Sequence, residues 1–335
     1  MAGCKPDNAP LPKLGADLPA TSVSGLSAGA YMAGQFHIAH SHIIVGAGIV
    51  AGGPYGCAES VFADVMPGPG TAFLNLSKAV NGCMLDAMQS WGVPNTNLLA
   101  ERARKLAQAN RIDAVAGLAR NRVYLFTGTH DQVVVPSIVK AAAKLYAELG
   151  VPEAQIKLVA NIPAGHAFIT EDKGLACGRT AEPYIADCDY DQAGDLLAHI
   201  YGRLQPRTAE PAGTFLVFNQ REFTHDLTDH GLDDAGVVYI PPGCWSSPGC
   251  RVHIAFHGCK QQRAKIGDTF IKDSGFIRWA DANRLIVLFP QIKPNTVNPQ
   301  ACWDWWGYTG RNYLTRQGPQ IAAVRRMLDR LTAKP

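Results

Sequence analysis

The sequence predicts an α/β fold with a mostly parallel central sheet flanked by helices. In the first half of the chain, short apolar runs typical of buried strands alternate with segments of helical spacing. Such alternation indicates parallel strands joined by helical crossovers. A second series of strand-like runs follows residues 205–213, a polar stretch with two prolines that is typical of a linker. With 335 residues, 47% of them hydrophobic, the chain can bury a large core.

The predicted elements follow a regular order. The first half gives a strand at 21–27, helices at 28–41, 97–118 and 136–150, and three segments that each combine a strand with the loop after it, at 43–57, 122–131 and 156–168. The second half gives four strands, at 214–220, 236–244, 251–259 and 285–291, and a terminal helix at 316–331. Residues 1–20 are expected to form an N-terminal extension. The linker either divides two domains or connects two halves of one sheet.

Composition and charge exclude several classes of protein. The 31 basic and 28 acidic residues nearly balance, and no basic stripe is present, so nucleic acid is not an expected partner. No run of 18 apolar residues appears, so no membrane span is expected. His37, His40 and His42 are grouped, but no carboxylate follows at ligand spacing. The sequence therefore predicts neither a metal site nor a cofactor.

Nine cysteines without a CxxC pair favour disulfides in an oxidising compartment over zinc ligation. The alternative is a cytosolic protein with unpaired buried thiols. Two of the possible disulfides would each close a short loop, and a third would join two segments that lie just after the first predicted helix. The two cysteines that remain then form the fourth pair. The predicted pairs are Cys177–Cys188, Cys244–Cys250, Cys57–Cys83 and Cys259–Cys302, with Cys4 unpaired. Eight cysteines allow 105 pairings, so spacing alone leaves the connectivity open.

One serine stands between glycines where a predicted strand meets a predicted helix, in Gly25-Leu26-Ser27-Ala28-Gly29. This is the spacing of a nucleophile elbow, in which a tight turn exposes the serine hydroxyl at the end of a strand. The alternative is a turn whose small residues only relieve crowding. An activated serine needs a base and an orienting carboxylate, so the rest of the chain must supply both.

Asp131 and His166 each follow a predicted buried strand, at the edge where open α/β sheets place their sites. Ser27, Asp131 and His166 follow the chain order of α/β-hydrolase triads. In these roles Ser27 attacks a carbonyl, His166 transfers the proton, and Asp131 orients the imidazole. Asp131 could instead form a turn, and His166 could be a loop histidine whose hydrogen bonds are satisfied locally.

A serine hydrolase also needs two N–H donors for the oxyanion. Ala28, which follows the candidate nucleophile, provides one. The second donor normally precedes the nucleophile, but the segment with a suitable pattern, residues 254–261, lies far after it. If the fold is circularly permuted, the strand with which that segment begins lies beside the Ser27 strand. The linker then joins two halves of one domain, residues 21–335.

Together these motifs resemble extracellular poly(3-hydroxybutyrate) depolymerases whose oxyanion segment follows the lipase box. The resemblance rests on "SGLSAGAYMA", "AGGPYGCA", "TGTHDQVV", "GHAF", "FHGCKQ" and "NPQACWDWWGY", which span residues 21 to about 314. It implies a circularly permuted α/β-hydrolase fold, the triad Ser27, Asp131 and His166, and the Cys259 N–H as second oxyanion donor. It also implies secretion. Many relatives carry a separate polymer-binding domain, and none is expected in this chain.

Polymer binding calls for apolar surface near the site. The stretch 302–313 is unusually aromatic, and Trp303, Trp305 and Trp306 are candidates for contact with substrate. The alternative is that one or two of them anchor the last helix in the core. If the stretch is extended, alternation makes Trp306 the leading candidate for an exposed rim and Trp303 the leading core anchor.

The preferred hypothesis is a secreted, monomeric serine esterase acting on an insoluble polyester. One alternative is an esterase for small or plant-cell-wall esters of the feruloyl or acetyl type, which the same triad serves. Another is a non-catalytic polymer-binding protein. The start Ala2-Gly3-Cys4 also resembles the end of a bacterial lipoprotein signal, which leaves a periplasmic or lipid-anchored form through Cys4 as an alternative.

Overall fold

The computed structural model describes residues 9–60 and 72–335 of the chain. Within these residues the strands are β1 (Thr21–Leu26), β2 (Ile44–Val50), β3 (Arg122–Phe126), β4 (Ile156–Val159), β5 (Phe168–Thr170), β6 (Leu175–Ala176), β7 (Ile185–Asp187), β8 (Thr214–Asn219), β9 (Ala235–Ile240), β10 (Arg251–Phe256) and β11 (Leu285–Phe289). The helices are α1 (Ala28–Ala39), α2 (Ala72–Cys83), α3 (Thr96–Gln108), α4 (Pro136–Glu148), α5 (Gln192–Tyr201), α6 (Pro242–Ser246), α7 (Arg263–Ile266), α8 (Thr269–Asp273), α9 (Phe276–Ala280) and α10 (Pro319–Thr332).

Eight strands form one sheet in the order β4-β3-β2-β1-β10-β11-β9-β8. The strands from β4 to β11 in this order run parallel, whereas β9 and β8 close one edge with antiparallel pairings. Strands β5, β7 and β6 form a separate small parallel sheet. The mostly parallel central sheet that the sequence predicted is confirmed.

The two halves of the sequence meet at the pairing of β1 with β10. These strands are parallel neighbours, with Gly25 opposite Phe256. The predicted strand that leads into residues 257–261 therefore does lie beside the strand that leads to Ser27. Residues 205–213 connect two halves of one continuous sheet.

Helices cover both faces of the sheet, which explains why its central strands are apolar almost throughout. One face packs against α1, α3, α4 and α10, and the other packs against α5, α8 and α9. The parallel strands β1, β3, β10 and β11 all end in buried residues. The loops that follow them therefore start from fixed positions at one edge of the sheet.

The structure corrects the predicted length of one helix. The segment predicted as a helix over 97–118 is helical only to Gln108 and resumes as a 3₁₀ turn at Val115–Arg120. The break follows from Asn110, which adopts a left-handed φ of 55°. Asparagine tolerates this conformation better than most residues, and the Arg111 N–H then bonds back to the Leu106 carbonyl to end the helix.

The described part of the predicted extension is built into the domain. Leu11 and Leu14 are buried, and Ala9 pairs with Phe218 of β8. The Leu14 N–H donates to the Leu331 carbonyl of α10 at 3.1 Å. Residues 9–20 thus tie the last strand of the sheet's antiparallel edge to the C-terminal helix.

Four disulfides crosslink the domain: Cys57–Cys83, Cys177–Cys188, Cys244–Cys250 and Cys259–Cys302. These are the same four pairs that the sequence analysis favoured. Cys4 lies outside the described residues. None of the helices in residues 9–60 and 72–335 combines the length and apolar character that crossing a bilayer requires.

Candidate active site

Ser27 occupies a strained turn between β1 and α1. Its φ of 56° and ψ of −123° are rarely adopted by L residues. A Cβ on Gly25 would lie 2.2 Å from the Gly29 carbonyl oxygen, and a Cβ on Gly29 would lie 2.3 Å from the Phe256 carbonyl oxygen. Both glycines are therefore required by the close approach of α1 to the ends of β1 and β10. The turn therefore combines the two interpretations of the sequence, since its glycines relieve crowding and its serine has a strained backbone.

Asp131 and His166 lie in the loops after β3 and β4 and are hydrogen-bonded to each other. His166 Nδ1 is 2.8 Å from Asp131 Oδ2, and both side chains are buried. Because a carboxylate accepts, Nδ1 carries the proton and Nε2 is left as the basic nitrogen. Asp131 Oδ1 accepts the backbone N–H groups of Val133 and Val134 at 2.8 and 3.0 Å, which fixes the carboxylate plane.

The two loops that carry these residues pack directly against each other. A Cβ on Gly128 would lie 2.0 Å from the Ala164 carbonyl oxygen, so only glycine fits there. The same Ala164 carbonyl accepts the His130 N–H at 3.1 Å. On the other side, the His166 N–H donates to Thr180 Oγ1 at 2.8 Å. The loop that bears His166 is thus held between the loop after β3 and the segment between β6 and β7.

Ser27 opens into an apolar cavity of about 470 Å³. Ala28 and Cys259, the two predicted oxyanion donors, line this cavity together with Ser27. The remaining lining is mostly apolar and comes from α1, α2 and the segments around residues 134 and 297–306: Tyr31, Leu76, Val80, Met84, Val134, Val297, Asn298, Pro299, Gln300, Cys302, Trp305 and Trp306. A cavity of this character suits an ester with an apolar chain.

One wall of the cavity was not foreseen from the sequence. Leu76, Val80 and Met84 follow one another at intervals of four residues along and just beyond α2, so they share one helix face. Tyr31 connects this wall to the one formed by Trp305. Its hydroxyl donates to the Cys83 carbonyl, and its ring stacks on the Trp305 ring with centroids 4.7 Å apart. The apolar four-residue spacing was the available signal for this wall.

The segment after β10 lies against Ser27. A Cβ on Gly258 would lie 3.5 Å from Ser27 Cβ and 3.3 Å from the Leu26 carbonyl oxygen. Ala28 begins α1, where backbone N–H groups lack partners within the helix. The Ala28 and Cys259 N–H groups therefore belong to the two segments that flank Ser27. An oxyanion hole needs two N–H donors beside the attacking group, and these two N–H groups are the candidates.

The expectation of an exposed tryptophan rim is wrong. Trp303, Trp305 and Trp306 are 0%, 4% and 1% exposed. The stretch is not extended, because Asp304 folds it into a turn by accepting the backbone N–H groups of Trp306, Gly307, Tyr308 and Thr309. Strand alternation therefore does not apply to these residues.

The three indoles nevertheless differ in position. Trp305 and Trp306 line the cavity from below the surface. Trp303 does not line it and packs edge-on against Phe256 of β10, with ring centroids 4.8 Å apart. Trp303 is thus a core anchor, as the sequence indicated, and Trp305 and Trp306 are the two that line the cavity.

Of the three grouped histidines, only His37 lies within α1, whereas His42 follows the helix and is exposed. His37 is fully buried, and its ring nitrogens lie 3.1 Å from the Tyr146 hydroxyl and 3.2 Å from Asn121 Oδ1. Burial lowers the pKa of His37 to about 4, so the ring is neutral at neutral pH. In the part of the chain that the structure describes, no three His, Cys, Asp or Glu side chains are arranged to hold a metal ion.

Several known proteins are similar to the chain, among them two relatives and a solved structure, although no protein-family model matches it. "Poly(3-hydroxybutyrate) depolymerase" of Delftia acidovorans is 38% identical over 328 residues, which are 96% of this chain and 62% of the relative. The chain thus spans less than two thirds of that relative's length. "Polyhydroxybutyrate depolymerase" of Talaromyces funiculosus is 34% identical over 333 residues, covering 94% of this chain and 90% of the relative.

The solved structure is a serine-to-alanine variant of a PHB depolymerase complexed with an R3HB trimer. It superposes with a TM-score of 0.86 at 31% sequence identity and covers 97% of this chain and 99% of its own. At this coverage, the likeness extends over nearly the whole chain.

Proposed function

The chain belongs to the poly(3-hydroxybutyrate) depolymerase family, and we propose that it is a serine esterase that hydrolyses polyesters of the poly(3-hydroxybutyrate) type. One observation carries this proposal above the others. A histidine hydrogen-bonded at 2.8 Å to a fixed carboxylate shares the carboxyl edge of the sheet with a strained serine that opens into an apolar cavity. Such a constellation fits acyl transfer.

In the proposed reaction, Ser27 Oγ attacks the carbonyl carbon of an ester while His166 Nε2 takes the serine proton. The carbonyl electrons move onto oxygen, and the Ala28 and Cys259 N–H groups donate to this oxyanion. Collapse expels the alcohol, which receives the proton from His166, and leaves an acyl-serine. A water molecule then repeats the sequence, releases the acid and regenerates Ser27. Asp131 holds the imidazole throughout and stabilises its charged form.

The cavity supports a polyester substrate because its walls offer apolar contacts and few polar ones. Tyr31, Trp305 and Trp306 present rigid aromatic surface close to Ser27. Four disulfides support secretion into an oxidising environment. We propose that the enzyme works as a secreted monomer on solid polymer and its soluble oligomers, without a cofactor. A form anchored through Cys4 remains an alternative within this proposal.

The polyester assignment is tested against its small-ester rival by turnover on three substrates. Purified protein is expected to clear a poly(3-hydroxybutyrate) suspension, to release 3-hydroxybutyrate oligomers, and to hydrolyse a soluble p-nitrophenyl ester. A feruloyl ester carries a planar aromatic acid and should be a poor substrate. Rapid feruloyl or acetyl ester turnover without clearing would contradict the polyester assignment and favour the small-ester alternative.

Adsorption to solid polymer is expected to depend on residues 74–91, next to the cavity. Leu74, Leu85 and Trp91 are 68%, 45% and 77% exposed and account for three of the six exposed large hydrophobic side chains among residues 9–60 and 74–335. Replacement of Trp91 by alanine should lower binding to a polyester film several-fold, because an exposed aromatic loses apolar contact area with the film. Melting temperature and soluble-ester turnover should not change.

Trp245→Ala is the matched control for this prediction. Trp245 is 47% exposed and follows β9, which runs antiparallel to its neighbours and so ends at the sheet edge opposite Ser27. Film binding by Trp245→Ala should equal that of the unmodified protein. Equal losses in the two variants would show that adsorption has no preferred face.

A further inference from the structure

We propose that Gln261 and His257 are positioning residues that together set the orientation of the Cys259 N–H, the second oxyanion donor. The proposal rests on the proposed esterase function and assigns a role to two side chains on the segment after β10. Gln261 is 1% exposed and His257 is fully buried. Neither residue lines the cavity, so neither is placed to touch the substrate.

The orientation of this donor follows from the peptide that joins Gly258 to Cys259. In a trans peptide the N–H of one residue points opposite to the C=O of the residue before it. The Gly258 carbonyl accepts two hydrogen bonds, from His257 Nδ1 at 2.7 Å and from the Gln261 N–H at 3.2 Å. With the carbonyl held by these two donors, the Cys259 N–H must point the other way. Rotation of this peptide would break both bonds.

The neighbouring peptide is held by the Gln261 side chain. Gln261 Oε1 accepts the Gly258 N–H at 2.7 Å. Gln261 Nε2 donates to the carbonyls of Pro183 and Tyr184, at 2.8 and 3.2 Å. The Gln261 side-chain amide therefore accepts a hydrogen bond from the oxyanion segment and donates hydrogen bonds to the residues just before β7.

The segment to which Gln261 donates also contacts the proposed catalytic base, His166. Thr180, three residues before Pro183, accepts the His166 N–H at 2.8 Å. The Tyr184 carbonyl, which accepts from Gln261, also accepts the Phe168 N–H at 2.9 Å. Gln261 thus links the segment that bears the oxyanion donor to the segment that bears the proposed base. A shift of either segment relative to the other would strain this amide.

His257 contributes because its ring has a single workable tautomer. Nδ1 must carry the proton, since the Gly258 carbonyl can only accept, and Nε2 accepts the Ile292 N–H at 3.3 Å. Burial lowers the pKa of His257 to about 4, so this neutral tautomer persists at neutral pH. The ring therefore ties the oxyanion segment to the residues that follow β11.

The test compares two adjacent buried glutamines. Gln261→Met removes the amide and keeps most of its volume. Gln262→Met is the matched control, because Gln262 is also buried but its Oε1 has no hydrogen-bond partner within the described residues. We expect Gln261→Met to lower kcat on a soluble ester about 10- to 100-fold with little change in KM, since a displaced oxyanion donor acts mainly on the transition state. Gln262→Met should retain most of the activity.

A second readout separates positioning from general loss of structure. Affinity for a boronic acid, which forms a tetrahedral adduct with the serine, should fall in Gln261→Met by the same factor as kcat. Affinity for a 3-hydroxybutyrate trimer, measured in a Ser27→Ala background, should stay within about twofold because the trimer binds without an oxyanion. Equal losses of boronate and trimer affinity would overturn the proposal.

Gln261→Glu gives a pH-dependent version of the same test, and it serves if the methionine variant fails to fold. A protonated glutamic acid can accept from Gly258 and donate to Pro183 as glutamine does, whereas the carboxylate would face two carbonyl oxygens. The activity of Gln261→Glu relative to the unmodified protein should therefore rise as the pH falls. A ratio that is independent of pH would contradict the proposal. An inactive unmodified protein would instead refute the esterase function itself.

Discussion

Ser27→Ala is expected to lower ester hydrolysis by on the order of 10⁴-fold or more while leaving the fold intact. The hydroxyl is the proposed nucleophile, and among the described residues that line the cavity no other group can replace it as one. Alanine is no worse suited than serine to the φ of 56° at this position, so the turn should keep its geometry. Steady-state turnover of a p-nitrophenyl ester, measured beside a thermal melt, checks this result. Retention of a tenth of the original rate would rule out Ser27 as nucleophile.

Asp131→Asn should be nearly as damaging, and the structure gives the reason. Asp131 Oδ1 accepts two backbone N–H groups, from Val133 and Val134. An asparagine would keep its oxygen there and turn its NH₂ toward His166 Nδ1. The ring would then have to accept at Nδ1 and carry its proton on Nε2, where it could no longer act as a base. A loss on the order of 10⁴-fold in kcat is expected from this wrong tautomer.

Asp113→Asn is the control for that substitution. The Asp113 carboxylate pairs with Arg316 Nη1 at 2.8 Å and accepts the His42 N–H, which places it in a structural ion pair. Its replacement should leave turnover close to the original value. If Asp113→Asn lost activity and Asp131→Asn kept it, the orienting carboxylate would have to be reassigned.

The sheet and the chemistry at its edge were predictable because both depend on local patterns. Buried strands are apolar almost throughout, and the residues that follow them must gather at one edge. The neighbouring positions of β1 and β10 followed from chemical need, since a serine nucleophile requires a second oxyanion donor beside it. Local composition thus sufficed for the mostly parallel sheet, and one mechanistic requirement sufficed for the pairing of β1 with β10, whereas the order of the other strands was not predicted.

Long-range contacts account for what the sequence did not predict. The three tryptophans are buried because Asp304 folds their segment into a turn, and alternation along the sequence carries no sign of this. Gln261 has its partners at Pro183 and Tyr184, almost eighty residues away, so nothing near it indicates a role. The wall formed by α2 is different, because the spacing of Leu76, Val80 and Met84 is an ordinary helical signal.

Acid is expected to unfold this protein well before its carboxylates are fully protonated. Burial lowers the pKa of His37 and His257 to about 4 and that of His253 to about 3, against 6.5 for an exposed imidazole. Between these values the unfolded chain binds protons that the folded protein does not. The stability that the neutral rings provide is therefore complete above about pH 6.5 and is lost as the pH falls toward the folded values.

The size of this effect is large compared with the stability of a typical domain. Each such histidine removes about 1.4 kcal/mol per pH unit within the window, so three together remove about 4 kcal/mol per unit. Typical stabilities are only about 5–15 kcal/mol. The buried carboxyls of Glu59 and Asp304, whose pKa values are raised by burial, act in the opposite direction and offset part of the loss. Urea unfolding at pH 7 and pH 5 should show a clearly lower midpoint at pH 5.

His253→Gln isolates the contribution of one ring. His253 Nδ1 and Nε2 lie 2.7 and 2.8 Å from the hydroxyls of Ser22 and Ser24, and a glutamine amide can both donate and accept at this position without titrating. The variant should lose stability less steeply between pH 6 and pH 5, by about 1.4 kcal/mol per unit. His225→Gln, at an exposed position, should leave the slope unchanged. An unchanged slope in His253→Gln would mean that the ring is protonated in the fold, and the Ser22–His253–Ser24 contact on β1 would have to be redrawn with a charged imidazole donating to both hydroxyls.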